Sequence, residues 1–211
     1  LLSKHADTVQ RQPFTQEQIK ALLNASRGSD WHGAILMGYY TALRLSDVTN
    51  MKWSAIDMDV RVITLIPGKT RRLNKQVKIP IHDQLYAWLK EQPIPMAPDI
   101  PVFRFLCSYG PGGKTGLSEQ FAKVIEKAGI QREYVRSGTA SRATSPLSFH
   151  SLRHTFASEL ANKGIPAEIR MQLTGHSSLK VHQGYTHLEV ETIRRAVDVM
   201  PSIEVEAANH N

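Results

Sequence analysis

The segment Ser148-Phe149-His150-Ser151-Leu152-Arg153-His154-Thr155-Phe156 puts basic side chains where a helix would ordinarily bury hydrocarbon. Read at helical period, Phe149, Leu152, Phe156 and Leu160 form one apolar stripe. Arg153 falls beside its centre, and His150 lies one turn earlier on the same flank. Burying a guanidinium costs on the order of several kcal/mol unless an anion meets it. The position therefore calls for a carboxylate or a phosphate, which leaves two readings: a structural salt bridge, or a grip on an anionic ligand.

The totals favour an anionic partner without naming it. Lys and Arg number 26 against 19 Asp and Glu, a net charge of +7, and the pI is near 9.6. Such a balance suits a polyanion. Cys107 is the only cysteine, so an intrachain disulfide and a cysteine-built zinc site are both excluded, and a reducing compartment fits. The longest nearly apolar run, Gly33 to Leu43, is far shorter than the ~20 residues of a membrane-spanning helix. The reading is a soluble, cytoplasmic protein. At 211 residues with 41% hydrophobic content the chain can bury one good core. Leu1 to Gln12 is polar with little periodicity and reads as an interdomain linker, which predicts a further N-terminal domain. The domain itself is expected over residues 13–200, with a tail over 201–211.

The elements that must position the basic residues can be read in order. Thr15-Gln16-Glu17-Gln18 has capping-box spacing, with Ile19, Leu22 and Leu23 behind it as the inward face of a first helix. Trp31 to Leu43 is apolar almost all round, as a central buried helix would be, and delivers Arg44 at its end. Ser46 can cap a short helix carrying Asp47. From Ile56 the period changes. Val60 to Ile66 is rich in β-branched residues, and Val77, Ile79 and Ile81 alternate with Gln76, Lys78 and Pro80, predicting an antiparallel hairpin or small meander. Its connection, Pro67 to Lys75, is a turn loaded with cations, among them Lys69, Arg71, Arg72 and Lys75. Leu85, Trp88 and Leu89 mark another helix. Ser118 can cap the next, whose face is Phe121, Val124, Ile125 and Ala128. Residues 131–147 read as a surface loop. A helix over 148–163 ends at Gly164, another runs from Pro166 to Gly175, a short one ends near Tyr185, and Glu189 to Val199 forms a terminal helix. The fold class is thus mainly α with a small antiparallel β-sheet.

Three familiar motifs fail on inspection. Gly113-Lys114-Thr115 resembles the end of a phosphate-binding loop, but Ser108 stands where the pattern needs its first glycine. His150 and His154 have the spacing of a helical zinc pair, yet Ser151 replaces the metalloprotease glutamate and no clear third ligand exists. No glycine pattern of a hydrolase nucleophile elbow is present.

What remains is a set: Arg44, Lys69, His150, Arg153, His176 and Tyr185. Each alone has an ordinary structural explanation. Together, in this order, they resemble the tyrosine recombinase (phage integrase) family. Thr41-Ala42-Leu43-Arg44-Leu45-Ser46-Asp47 is similar to the family's first box, in which Arg44 would be the first catalytic arginine and Asp47 the acidic residue that supports the site. Gly68-Lys69-Thr70 resembles the β-turn segment carrying the catalytic lysine, with Lys75 and Lys78 as alternatives on the same hairpin. His150-Ser151-Leu152-Arg153 fits the family's His-x-x-Arg. Leu173-Thr174-Gly175-His176 fits its Gly-His segment, and Tyr185 follows His176 by nine residues, where the nucleophile belongs.

The resemblance implies DNA strand cleavage and rejoining through a 3′-phosphotyrosyl intermediate, and the residue types suit it. A tyrosine hydroxyl with a pKa of about 10 is a poor nucleophile at neutral pH and must be positioned and deprotonated as it attacks. Charge on the non-bridging oxygens can be clamped by the permanently charged forks of Arg44 and Arg153. His150 and His176 can donate to the same oxygens or share the tyrosine proton, and Lys69 can protonate the leaving 5′-oxygen. Such a transesterase needs no metal, no ATP and no other cofactor. The implied partners are double-stranded DNA, gripped in part by Arg71, Arg72 and Lys75, three further copies of the chain in a tetramer, and accessory directionality proteins. Two other readings stay open: a type IB topoisomerase, which uses similar chemistry, and a DNA-binding module that has kept only the phosphate grip.

Overall fold

A computed structural model of the chain describes residues 12–68, 74, 76–110, 115–134, 145–174 and 190–203. Eight α-helices and three short strands are found among them: α1 Gln16–Ala25, α2 Asp30–Thr41, α3 Leu45–Thr49, β1 Ile56–Asp57, β2 Val62–Leu65, β3 Val77–Pro80, α4 Asp83–Lys90, α5 Leu117–Lys127, α6 Phe149–Asn162, α7 Ala167–Thr174 and α8 Val190–Asp198. The strands form one antiparallel sheet in the order β1-β2-β3, with Ile63 opposite Ile79 at its buried centre. The mainly helical class with a small antiparallel sheet is therefore what the chain folds into. Among the described residues no helix is long and apolar enough to cross a membrane.

Helix α2 is the axis of the core. Every residue from Trp31 to Thr41 except His32 is buried, and α1, α3, α4 and α6 all pack against it. Two glycines let its neighbours approach. A Cβ on Gly33 would overlap the Trp88 ring of α4, and one on Gly38 would lie 2.7 Å from Phe149 at the start of α6. The ring of Phe149 continues into an aromatic cluster with Phe121 at 5.2 Å and Trp31 at 6.3 Å. The N-terminal turn of α6 is thus seated on the C-terminal half of α2.

Local chemistry explains most of the element ends. The Thr15 hydroxyl accepts from the Gln18 N–H while the Gln18 side chain accepts from the Thr15 N–H, closing the capping box of α1. Helices α5 and α6 both end in a glycine with positive φ, Gly129 and Gly164, and the next residue donates back to the helix: Ile130 N to Ile125 O at 3.2 Å, and Ile165 N to Leu160 O at 2.9 Å.

Four sequence expectations are corrected. Helix α2 stops at Thr41 because Ala42 turns left-handed (φ 54°, ψ 21°), so Arg44 belongs to the next element. Ser46 does not cap α3: Arg44, extended at φ −71° and ψ 153°, is its N-cap, and the Arg44 carbonyl accepts from the N–H groups of Asp47 and Val48, both at 2.9 Å. Likewise Gly116, not Ser118, begins α5, because burial of Leu117 at 2% exposure draws that residue into the first turn. The strand expected over Val60 to Ile66 is shorter, since Val60 and the left-handed Arg61 form the β1–β2 turn.

Candidate active site

Of the residues singled out in the sequence, Arg44, Asp47, His150 and Arg153 are described. Lys69, Arg71, Arg72, Lys75, His176 and Tyr185 lie outside the described residues.

Helix α6 holds His150 and Arg153 three residues apart. Its first turn is fixed by Ser151, whose hydroxyl accepts from the Ser148 N–H at 3.1 Å and donates to the Pro146 carbonyl at 3.2 Å. One turn on, the Thr155 hydroxyl accepts from the Phe14 N–H at 2.8 Å, tying the chain ahead of α1 to this helix. Phe149, Leu152, Phe156 and Leu160 are all buried, as the apolar stripe requires. His150 stands exposed at the helix start, its ring edge-to-face with that of His154 at 5.1 Å. Among the described residues no group of three or more His, Cys, Asp or Glu is arranged to hold a metal ion.

Arg153 is only 4% exposed. Its Nη1 donates to the Ala42 carbonyl at 2.9 Å, which spends one end of the guanidinium. Nε and Nη2 are buried with no hydrogen-bond partner among the described residues. Those two nitrogens form one edge of the planar group, the fork that meets a carboxylate or phosphate in bidentate fashion. Burial, and then the charge of Arg44, pull the Arg153 pKa down to about 10, against the opposing influence of Asp47. Arg153 therefore stays charged at neutral pH while its fork is unsatisfied. A buried donor left unpaired costs about 1–3 kcal/mol, and more when charged. An arrangement of this kind favours an anion that brings its own acceptors.

Asp47 and Arg44 share the first turn of α3, and both side chains are half-buried. Asp47 Oδ1 accepts from the Gly68 N–H at 2.9 Å, where the chain leaves β2 for the cationic turn. Its Oδ2 is buried without a partner among the described residues. Asp47, Gly68, Ser46, Asn50 and Thr64 line an open groove of about 620 Å³ between α3 and the sheet. Two backbone groups thus take part that no side-chain motif signals: the Ala42 carbonyl and the Gly68 N–H. The glycine before Lys69 was a faint sign of the second; the first has none, because any residue carries a carbonyl.

Comparisons with known proteins bear on the family and the fold. The sequence pattern of the phage integrase family matches residues 12–192. Tyrosine recombinase XerD of Neisseria meningitidis serogroup A is 32% identical over 182 residues, covering 83% of this chain and 58% of that protein. Among solved structures, the integrase from mycobacterium phage Brujita superimposes with a TM-score of 0.66 at 18% identity, over 98% of this chain and 63% of that one. A lambda integrase dimer bound to a COC′ core site gives a TM-score of 0.53 at 20% identity, over 87% of this chain and 65% of that one. The chain spans 58% of the XerD relative's length. At these identities the structural likeness speaks for the fold, and the sequence match for descent. With its fold shared and most of its length matched, the chain belongs to the phage integrase family, the tyrosine recombinases.

Proposed function

We propose that this chain is the catalytic domain of a site-specific DNA recombinase that cleaves and rejoins strands through a phosphotyrosine. The observation that carries the proposal is the buried Arg153 guanidinium, whose Nε and Nη2 edge has no partner among the described residues and which lies within the field of a second arginine. A fold that gathers Arg44 and Arg153 against their mutual repulsion, and leaves a fork unsatisfied, is suited to an anionic oxygen pair such as the two non-bridging oxygens of a phosphodiester.

The reaction then follows from residue chemistry. Arg44 and Arg153 neutralise the non-bridging oxygens as charge develops on them. Tyr185 attacks phosphorus: its O–P bond forms and the P–O5′ bond breaks. The phenolic proton passes to His150 or His176, and Lys69 gives a proton to the leaving 5′-oxygen. The product is a 3′-phosphotyrosyl link and a free 5′-hydroxyl. Attack by a partner strand's hydroxyl reverses these bonds, so phosphodiester energy is kept. Double-stranded DNA is the substrate in this reading, with Arg71, Arg72 and Lys75 adding phosphate contacts. Two duplexes exchanging strands require four active sites, hence a tetramer; the lambda integrase dimer on its core site supports the idea that several protomers act on one DNA. An N-terminal domain ahead of the linker would complete the grip on DNA, in keeping with the share of XerD that this chain spans.

A denaturing gel tests the proposal. Nicked duplexes drawn from candidate attachment sequences are incubated with the protein, and with Tyr185→Phe as control. A covalent protein–DNA adduct that disappears in the variant is the expected result. Binding without an adduct on any such duplex, for the protein with its N-terminal domain as well, would overturn the assignment in favour of a DNA-binding module.

A further inference from the structure

Phe105 keeps 76% of its surface exposed and Tyr109 46%, where most large apolar side chains among the described residues are buried. Neither sits on a loose tip. The Phe105 and Leu106 N–H groups donate to Asp30 Oδ2 at 2.9 and 3.3 Å. The short 3₁₀ helix that follows, Leu106–Ser108, is closed by Cys107 N to Phe103 O at 3.0 Å and by Tyr109 N to Leu106 O at 3.2 Å. Behind them the Trp88 ring stacks on Phe103 at 5.8 Å, and Trp31 meets Phe121 at 5.4 Å. Trp31, Trp88, Phe105 and Tyr109 thus wall a groove of about 560 Å³. An exposed aromatic side chain already fixed in place loses little freedom on binding, which is what an anchor for a partner requires.

Charge decides which partner. The chain carries a net charge of +7, and Arg153 is fastened to Ala42, at the C-terminal end of α2. The groove lies at the other end of that helix, roughly 18 Å away at a rise of about 1.5 Å per residue. No lysine or arginine is among the described residues that line it, and its one charged side chain is Asp30. His32, also in the lining, is held below the ordinary histidine pKa chiefly by burial, so it adds no positive charge at neutral pH. Asp30 commits Oδ2 to the two backbone N–H groups, while Oδ1 has no partner among the described residues.

Nucleic acid is poorly served by such a surface, because bases stacked on aromatic rings need cations beside them for their phosphates. A guanidinium is well served: its plane stacks on an indole or phenol ring, and its edge meets a carboxylate. We propose that this groove docks a segment of a partner protein that presents an arginine between apolar residues. The guanidinium lies over the aromatic walls against Asp30, and the flanking residues pack on Phe105. Occupancy of the groove does not depend on the chemistry at the other end of α2.

The experiment pans a phage-displayed random peptide library on the whole chain, with Phe105→Ser as counter-selection. Enriched sequences should carry an arginine beside apolar residues, and the leading peptide should bind Phe105→Ser at least about tenfold more weakly by calorimetry. Replacing its arginine by citrulline, or using Asp30→Asn, should each cost about tenfold or more, and the two together little more than either alone. Asp30→Asn keeps an acceptor for the Phe105 and Leu106 N–H groups, so its urea midpoint should match wild type. Tyr109→Ser should repeat the loss, which keeps the test available should Phe105→Ser not fold. Enriched peptides without a cation overturn the proposal, as does a library that yields no enrichment dependent on Phe105 and Tyr109. Displacement of the peptide by a single-stranded oligonucleotide would give the groove to nucleic acid instead. A wild-type dimer in light scattering that Phe105→Ser dissolves would give it to a second copy of this chain.

Discussion

Arg153 Nη1 and the Ala42 carbonyl oxygen lie 2.9 Å apart, joining the helix that carries His150 in its first turn to the left-handed residue that ends α2, two positions before Arg44. The two arginines are brought near one another by a helix stop and a buried hydrogen bond across 111 residues of sequence. Most of the guanidinium is left over, and that remainder carries the functional proposal.

Arg153→Met removes a buried charge and replaces it with hydrocarbon of similar length. DNA-free protein should hold its stability or gain about 1 kcal/mol, because desolvation of the guanidinium is no longer opposed to folding. Adduct formation should be lost. Urea midpoints for the two proteins check this, and a destabilisation beyond about 3 kcal/mol would mark the guanidinium as a structural element.

Gly38→Ala places a methyl carbon 2.7 Å from Phe149 and 2.9 Å from Leu152. Both side chains belong to the packed face of α6, so the helix must move as a unit. The expected cost is about 1–3 kcal/mol, read from chemical denaturation. Cleavage should fall by more than stability accounts for, since His150 and Arg153 travel with α6.

Thr155→Val is nearly isosteric but leaves the Phe14 N–H, buried and bonded at 2.8 Å, without its acceptor. A loss of about 1–3 kcal/mol in urea unfolding is expected. A change near zero would show that the N-terminal segment is held by packing alone.

His82 predicts a pH dependence of stability. Its ring stacks on Tyr40 at 4.1 Å, Nδ1 accepts from the Gln84 N–H at 3.2 Å as the cap of α4, and Nε2 donates to the Met200 carbonyl at 3.2 Å. With Nδ1 an acceptor, the imidazole is neutral. Burial holds its pKa below the ordinary histidine value, against the Met200 carbonyl, Asp83 and Asp198, which favour the cation. Unfolded chain takes up the proton near pH 6.5, and folded protein only at lower pH. The stabilisation is therefore complete above about pH 6.5 and declines as pH falls from there toward the folded value. His32, also lowered chiefly by burial, adds in the same direction. His82→Asn, which keeps a good helix cap, should lose less stability between pH 7.5 and 5.5 than wild type. Equal losses, measured as urea midpoints at both values, would sink the attribution to His82.

The sequence was legible wherever a pattern is local. The capping box at Thr15, the stripe from Phe149 to Leu160 and the glycine end of α6 follow from spacing within one or two turns, and all are present. Burial of Arg153 could be inferred the same way, from the stripe beside it. Where two local signals competed, the reading failed. Ser46 is a better capping residue than Arg44, but Ala42 turns left-handed and the helix starts two residues early. Propensity amounts to about 1 kcal/mol at such a position, and burial of Val48 and Thr49 against the core outweighs it.

The chain alone determined which residue types are available: two arginine-centred motifs, a small sheet with a cationic turn, and a core wide enough for one domain. Tertiary structure decided which of their atoms remain unspent. That Nη1 of Arg153 is taken by Ala42 while its Nε–Nη2 edge has no partner among the described residues, and that Asp47 grips Gly68 without pairing to an arginine there, depends on how α2, α3 and α6 pack. Hydrogen-bond geometry is settled within tenths of an ångström, between groups 21 and 111 residues apart, and spacing along the chain carries no record of it.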